Sequence, residues 1–209
     1  MKIYLIRHGE TDWNRQGRFQ GREDIVLNEN GIAQAQKCGR ALKGENFAAV
    51  ITSPLIRAKK TASIIVEYVK TDRIIIEQGI IERDFSKVSG MTPREREHFY
   101  ASGEPDDKEP WEALCNRMIS NVMKYAKMFY NENIIMVSHG ASINSVLSVL
   151  SGGGIGTRKT ILKNTCINIL DYDNNKLKID RYNLSAEEHM ELGGHKKIGK
   201  KEMFDDSGI

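Results

Sequence analysis

Ile3-Tyr4-Leu5-Ile6-Arg7-His8-Gly9-Glu10-Thr11 is an apolar, β-branched run that stops at a histidine and a glycine. The same construction returns at Ile134-Ile135-Met136-Val137-Ser138-His139-Gly140. Runs of this length followed by glycine read as buried strands ending in a tight turn. Laid parallel in one sheet, both would deliver an imidazole to the carboxyl edge, where open α/β sheets bind ligands. Two histidines with Arg7 at that edge point to a site that handles phosphate.

Around these two strands the sequence alternates. A polar, glycine-studded loop spans Asp12 to Asn28, and a helix is predicted from Glu29 to Lys43 with Ile32, Ala35, Gly39 and Leu42 on one face. Phe47 to Thr52 reads as a strand. Ser53-Pro54 reads as the start of a helix, with serine as N-cap and proline in its first turn. Arg73 to Ile81 holds a further strand, and Thr92-Pro93-Arg94-Glu95 is a capping-box pattern. Pro110 to Tyr130 and Ser142 to Leu150 read as helices, with a flexible glycine break after the second. Cys166–Tyr172 and Lys176–Tyr182, joined through Asp173-Asn174-Asn175, read as a hairpin. From Ser185 the chain turns polar and is expected to fray. Alternating strands and helices closed by a hairpin indicate a mixed sheet with helices on both faces.

The bulk properties exclude several classes. The 209 residues suffice for one sizeable core, and 40% apolar with 28% charged residues describes a soluble globular protein. A net charge of +3, with Lys and Arg scattered, gives no footprint for nucleic acid. Cys38, Cys115 and Cys166 are too few and too far apart for a disulfide framework or a zinc knuckle. Neither a signal peptide nor a membrane span is visible. The expectation is a reduced, cytoplasmic protein.

Four segments could bring polar groups to one sheet edge: Arg7 with His8, Arg57, Glu82, and His139. A cation in the first turn of a helix, like Arg57, is disfavoured by the helix dipole unless an anion lies between them. Taken singly, each residue has a plainer reading: a solvated arginine, an exposed Glu82-Arg83 pair, a core histidine. Taken together, strand-end position, glycine neighbours and complementary charge agree. Metal ligation by the two histidines is the alternative, but neither an HxxxH spacing nor a carboxylate cluster accompanies them.

Leu5-Ile6-Arg7-His8-Gly9-Glu10-Thr11, Trp13-Asn14 and Gly17-Arg18-Phe19-Gln20-Gly21 resemble the signature of the histidine phosphatase superfamily, which includes the cofactor-dependent phosphoglycerate mutases. Asp24, Leu27, Gly31, Gln34-Ala35, Ser53-Pro54-Leu55, Arg57-Ala58 and Val137-Ser138-His139-Gly140 continue the match in order. The resemblance implies a single α/β domain over 1–184: a three-layer sandwich whose mixed, mostly parallel sheet is flanked by helices. A small cap over about 85–111, a C-terminal hairpin and a polar tail at 185–209 complete it.

The resemblance also implies roles. His8 would be the phosphoryl-accepting nucleophile and Glu82 the general acid, holding a proton near neutral pH. Arg7, Arg57 and His139 would hold the phosphate, with Asn14, Gln20, Gly21 and Gly140 beside it. The two arginines should depress the pKa of His8 and keep it nucleophilic. Neither metal nor cofactor is expected, apart from 2,3-bisphosphoglycerate if the enzyme were a mutase.

The chain departs from the family pattern after Glu82, where the usual glycine is displaced. It also departs at Asn144, where a basic residue is common. The favoured reading is a phosphomonoesterase acting on a small phosphorylated metabolite through phospho-His8; members of the family it resembles are often homodimers, and the sequence does not fix the oligomeric state. A phosphoglycerate mutase is the alternative, and a non-catalytic phospholigand-binding protein the second.

Overall fold

In the computed structural model, which describes residues 1–193 apart from 72 and 158, the two histidine-terminated runs are hydrogen-bonded neighbours. They form strands β1 (Lys2–Arg7) and β4 (Ile134–Ser138), and their parallel register sets Arg7 opposite Ser138. One residue further on, His8 and His139 therefore emerge side by side. Strands β2 (Ala49–Thr52) and β3 (Ile74–Ile76) extend the parallel part of the sheet beyond β4. On the other side of β1, β5 (Ile167–Asp173) and β6 (Lys176–Leu184) form an antiparallel hairpin. The sheet order is β3-β2-β4-β1-β5-β6.

Side chains alternate across a strand, so a strand buried on both faces must be apolar throughout. Ile3 and Leu5 of β1 face one core and Tyr4 and Ile6 the other, all fully buried. The first core is closed by α5 (Trp111–Met128) and α6 (Gly140–Leu150), through Leu114, Met118, Val122, Ile143 and Val146. The second is closed by α2 (Glu29–Ala41) and α3 (Ile56–Val66), through Cys38, Ala58, Ala62 and Ile65. Each buried Leu or Ile contributes about 1.5–3 kcal/mol, which is why β1 and β4 are apolar between their ends. The result is the expected α/β sandwich. Among the described residues, no helix is long and apolar enough to cross a membrane.

The chain leaves β1 for α2 on one face and leaves β4 for α6 on the other. Neighbouring strands whose connections part in this way open a crevice at their carboxyl ends, the usual ligand site of such sheets. Both histidines stand in it.

Several local expectations are corrected. The loop 12–28 contains a short helix, α1 (Asp12–Arg15), closed by a Thr11–Asn14 capping box. Ser53 does not cap α3, which begins three residues later at Ile56 after the uncapped Leu55. The Ile56 N–H is taken by Asp24 Oδ1 at 2.5 Å, a partner distant in sequence, and Ser53 is free for other work. α6 starts at Gly140, not Ser142. Fraying does not begin at Ser185. Ser185 and Glu188 form a capping box that starts α7 (Ala186–Glu191), which packs on α2 with His189 buried. The Ser-x-x-Glu pattern was the available signal. The rest of the polar tail, from 194 on, lies outside the described residues.

Candidate active site

His8 follows β1 and is held from every side. Its backbone N–H donates to the Ser138 carbonyl at 3.0 Å, and its own carbonyl accepts from Asn164 Nδ2 at 3.1 Å. Ring Nδ1 lies 2.7 Å from the Gly9 carbonyl, which can only accept, so Nδ1 carries the proton. In the neutral ring the lone pair is then on Nε2. The Gly9 N–H is tied to Thr61 Oγ1 at 3.0 Å. A Cβ on Gly9 would fall 2.4 Å from the Gly31 carbonyl oxygen, and one on Gly31 would fall 2.1 Å from that of Glu10. These two glycines let the loop after β1 lie directly on the first turn of α2.

The His139 ring lies beside that of His8, with centroids 5.2 Å apart. Its Nε2 meets Ser53 Oγ at 2.6 Å, the work to which the displaced serine is put. With the hydroxyl donating to Nε2, the neutral ring carries its proton on Nδ1.

Arg57, in the first turn of α3, is fully buried, yet its fork meets no carboxylate. It donates instead to the carbonyls of Gly21 at 2.8 Å and Glu23 at 2.5 Å. Burial lowers its pKa to about 10, so it remains cationic at neutral pH. Arg7 is anchored in the same manner by the Leu162 carbonyl at 2.5 Å.

Among the described residues, Arg7 Nε, Arg57 Nε and His139 Nδ1 are buried donors without a partner. An unmade buried hydrogen bond costs about 1–3 kcal/mol, more for a charged group. Three such donors from three elements around one point are satisfied together by an anion with several oxygens.

Glu82 supplies the acidic group. One carboxyl oxygen accepts from Ser142 N at 3.0 Å, Ser142 Oγ at 2.9 Å and Arg83 N at 2.9 Å; the other accepts from Ala141 N at 3.2 Å and is the oxygen left to carry a proton. The carboxyl group is thus pinned to the amino end of α6, beside the cations. Asp84, the nearest other carboxylate in sequence, instead caps Ser86 N at 2.7 Å and pairs with Arg22.

A cavity of about 870 Å³ opens over these groups. Of the residues singled out from the sequence, Arg7, His8, Asn14, Gln20, Gly21, Arg57, Glu82 and Gly140 line it, and His139 lies behind His8. The Oδ1 of Asn14 is engaged by Thr11 N at 3.2 Å and Asn164 Nδ2 at 3.3 Å, which leaves its NH2 end to meet a ligand. The segment 85–111, with α4 (Pro93–Ala101), supplies the outer wall through Phe85, Arg96, Tyr100, Asp106 and Lys108. Arg96 is stacked 3.7 Å over the Phe19 ring; some other basic residues of the segment turn elsewhere. Lys87 pairs with Asp107, and His98 bonds the Arg94 carbonyl.

Thr61, Ser142 and Asn164, which hold the site groups in place, carry no motif of their own and were missed; Ser53 belongs to a matched motif but was read as a helix cap instead of a partner of His139. Among the described residues, no three His, Cys, Asp or Glu side chains gather as a metal-binding cluster.

Burial, then the charges of Arg57 and Arg7, push His8 well below its usual 6.5. Burial and the Arg57 charge do the same to His139. As pH falls through 6.5 the unfolded chain takes up protons on these rings while the folded chain resists. Stability present above about 6.5 is therefore lost below it. The urea midpoint is expected to fall between about pH 7.5 and 5.5, and to fall less in a His8→Asn variant. An identical pH dependence in that variant would remove imidazole burial as the cause.

The model of the histidine phosphatase superfamily (branch 1) matches residues 3–185 of the chain. The uncharacterized phosphatase PhoE of Bacillus subtilis (strain 168) is 36% identical over 184 residues, covering 88% of this chain and 95% of that protein. A probable phosphoglycerate mutase, GpmB of Proteus mirabilis (strain HI4320), is 30% identical over 83% of this chain and 86% of its own length. Among solved structures, phosphoserine phosphatase from Entamoeba histolytica in complex with 3-phosphoglyceric acid superposes with a TM-score of 0.76. Its identity is 30%, with 88% of this chain and 97% of that one covered.

Proposed function

The chain belongs to the histidine phosphatase superfamily, and we propose that it hydrolyses a small phosphomonoester through a phosphohistidine on His8. One observation carries this reading: the lone pair on His8 Nε2 stands in a pocket whose buried donors are unsatisfied without an anion. Arg7, Arg57 and His139 hold the equatorial phosphate oxygens, joined by Asn14 and by the Gly140 N–H, which at the first position of α6 has no helical partner. Such positioning and charge neutralisation is most of what phosphoryl transfer requires.

In the first step Nε2 forms a bond to phosphorus, the ester P–O bond breaks, and Glu82 gives its proton to the departing alkoxide. In the second, Glu82 takes a proton from water as the water oxygen attacks phosphorus and the N–P bond breaks. Free imidazole and inorganic phosphate are restored. Neither step calls on a metal or a cofactor, and the scattered, buried free cysteines suit a cytoplasmic location. Similarity to GpmB supports a second reading, in which the phosphoryl group returns to a substrate hydroxyl instead of to water.

Rapid quench in alkali after mixing with ³²P-labelled substrate is expected to trap acid-labile, base-stable label on His8. Label on serine, or none at all during turnover, would overturn the mechanism. Release of inorganic phosphate in step with substrate loss separates hydrolysis from phosphoryl return.

Glu82→Gln is expected to slow hydrolysis of alkyl phosphates by about 10²-fold or more, the usual scale of acid–base catalysis. p-Nitrophenyl phosphate should be affected far less in the phosphorylation step, because its leaving group needs no proton. Single-turnover rates are required, since loss of the base also slows dephosphorylation of His8. An equal, modest effect on both esters, with a large one from Asp84→Asn, would move the acid to Asp84.

A further inference from the structure

The unpartnered donors account for a phosphate, but Asn144 presents the opposite deficiency. It stands on α6 one turn beyond Gly140, on the same face, and its side chain lines the cavity. Asn144 Nδ2 donates to the Thr160 carbonyl at 3.2 Å, and this sets the amide's orientation, because the reverse would oppose two oxygens. The Oδ1 is then buried and has no partner among the described residues, in a side chain 7% exposed.

A phosphate dianion cannot satisfy that oxygen, having no hydrogen to give. Nor does a guanidinium of the outer cavity reach it: Arg18 is held on the Gly90 carbonyl at 2.6 Å, Arg83 on that of Glu109 at 2.8 Å, and Arg96 on those of Gly17 at 3.0 Å and Met91 at 2.7 Å, and none bonds Oδ1. The alcohol part of the substrate is the part that can bring a donor to it.

We infer that Asn144 is a specificity-determining residue that selects phosphomonoesters whose alcohol carries a second hydroxyl group. The inference rests on the phosphomonoesterase reading and deepens it. Gly140 lies at the phosphate end, and one helical turn is about 5.4 Å, so the hydroxyl stands about two or three carbons from the ester oxygen. The surrounding guanidiniums favour a neutral hydroxyl over an ammonium, which they would repel. A site built to pair a hydroxyl discriminates against the analogue that lacks it, because the site's own polar group is then left unmet.

The test compares kcat/KM for glycerol 1-phosphate, propyl phosphate and p-nitrophenyl phosphate, using the full chain. Wild type is expected to prefer glycerol 1-phosphate over propyl phosphate by about tenfold or more. Asn144→Leu, of similar size, should bring that ratio close to one. Asn144→Ala also removes the acceptor and should likewise bring the ratio close to one, and it serves if the leucine variant does not fold. Equal use of glycerol and propyl phosphates by wild type would overturn the inference. So would a ratio that survives in Asn144→Leu while both rates fall together, which marks a purely structural role. In both cases turnover of p-nitrophenyl phosphate leaves the phosphomonoesterase reading standing. Release of phosphate from none of the three esters overturns that reading, and this inference with it.

Discussion

His8→Ala is expected to lower turnover by on the order of 10⁵-fold or more, the scale on which removing a covalent nucleophile acts. The ring is buried and its bond to the Gly9 carbonyl goes with it, but the backbone keeps its own ties: the N–H to Ser138 and the carbonyl to Asn164. These survive the truncation, so the fold should persist while the only lone pair aimed at phosphorus is lost. The labelled phosphoenzyme should vanish in parallel. Inorganic phosphate should still protect the variant against thermal unfolding, because Arg7, Arg57 and His139 remain to bind it. Activity within tenfold of wild type would mean that water attacks the ester directly and that His8 only lines the pocket.

Arg57 should show the next largest effect. Its fork joins the loop carbonyls of Gly21 and Glu23 to the phosphate site, and its Nε has no other partner among the described residues. Arg57→Ala is expected to reduce kcat/KM by about 10²–10³-fold, the usual consequence of losing one transition-state donor. It should also weaken vanadate inhibition and abolish most of the thermal shift produced by phosphate. Arg57→Lys separates charge from geometry. A point charge cannot serve two carbonyls and a phosphate oxygen in one plane, so lysine should recover only a minor part of the loss. Full recovery by lysine, or vanadate inhibition unchanged in both variants, would make Arg57 a structural clasp for the 17–24 loop.

Much of this was legible in the sequence because the decisive signals are local. An apolar run meeting His-Gly specifies a buried strand and the side chain delivered at its end, and it did so for both His8 and His139. Arg57 was conspicuous because a cation in the first turn of a helix conflicts with the helix dipole. Misreadings fell where a local signal had a distant competitor. Ser53-Pro54 has the composition of a helix start, but Asp24 takes the first free N–H of α3, and Ser53 turns to His139. The polarity of the segment after Ser185 hid a helix that is held by packing on α2.

From sequence alone come the strand–helix alternation, the two histidines at strand ends, the buried apolar faces and the resemblance that assigns the roles. Each depends on residues within a few positions of one another, where periodicity and turn chemistry act. Tertiary structure alone decided that β4 lies between β2 and β1 and sets the two imidazoles 5.2 Å apart. It also decided that Ala141 and Ser142 pin Glu82, and that Asn144 keeps an unpaired oxygen beside the cavity. Those pairings join residues far apart in the chain, so their existence depends on sheet order and helix placement. No pattern confined to one segment encodes that order, which is set by which packing of all the segments buries both faces of the sheet at once.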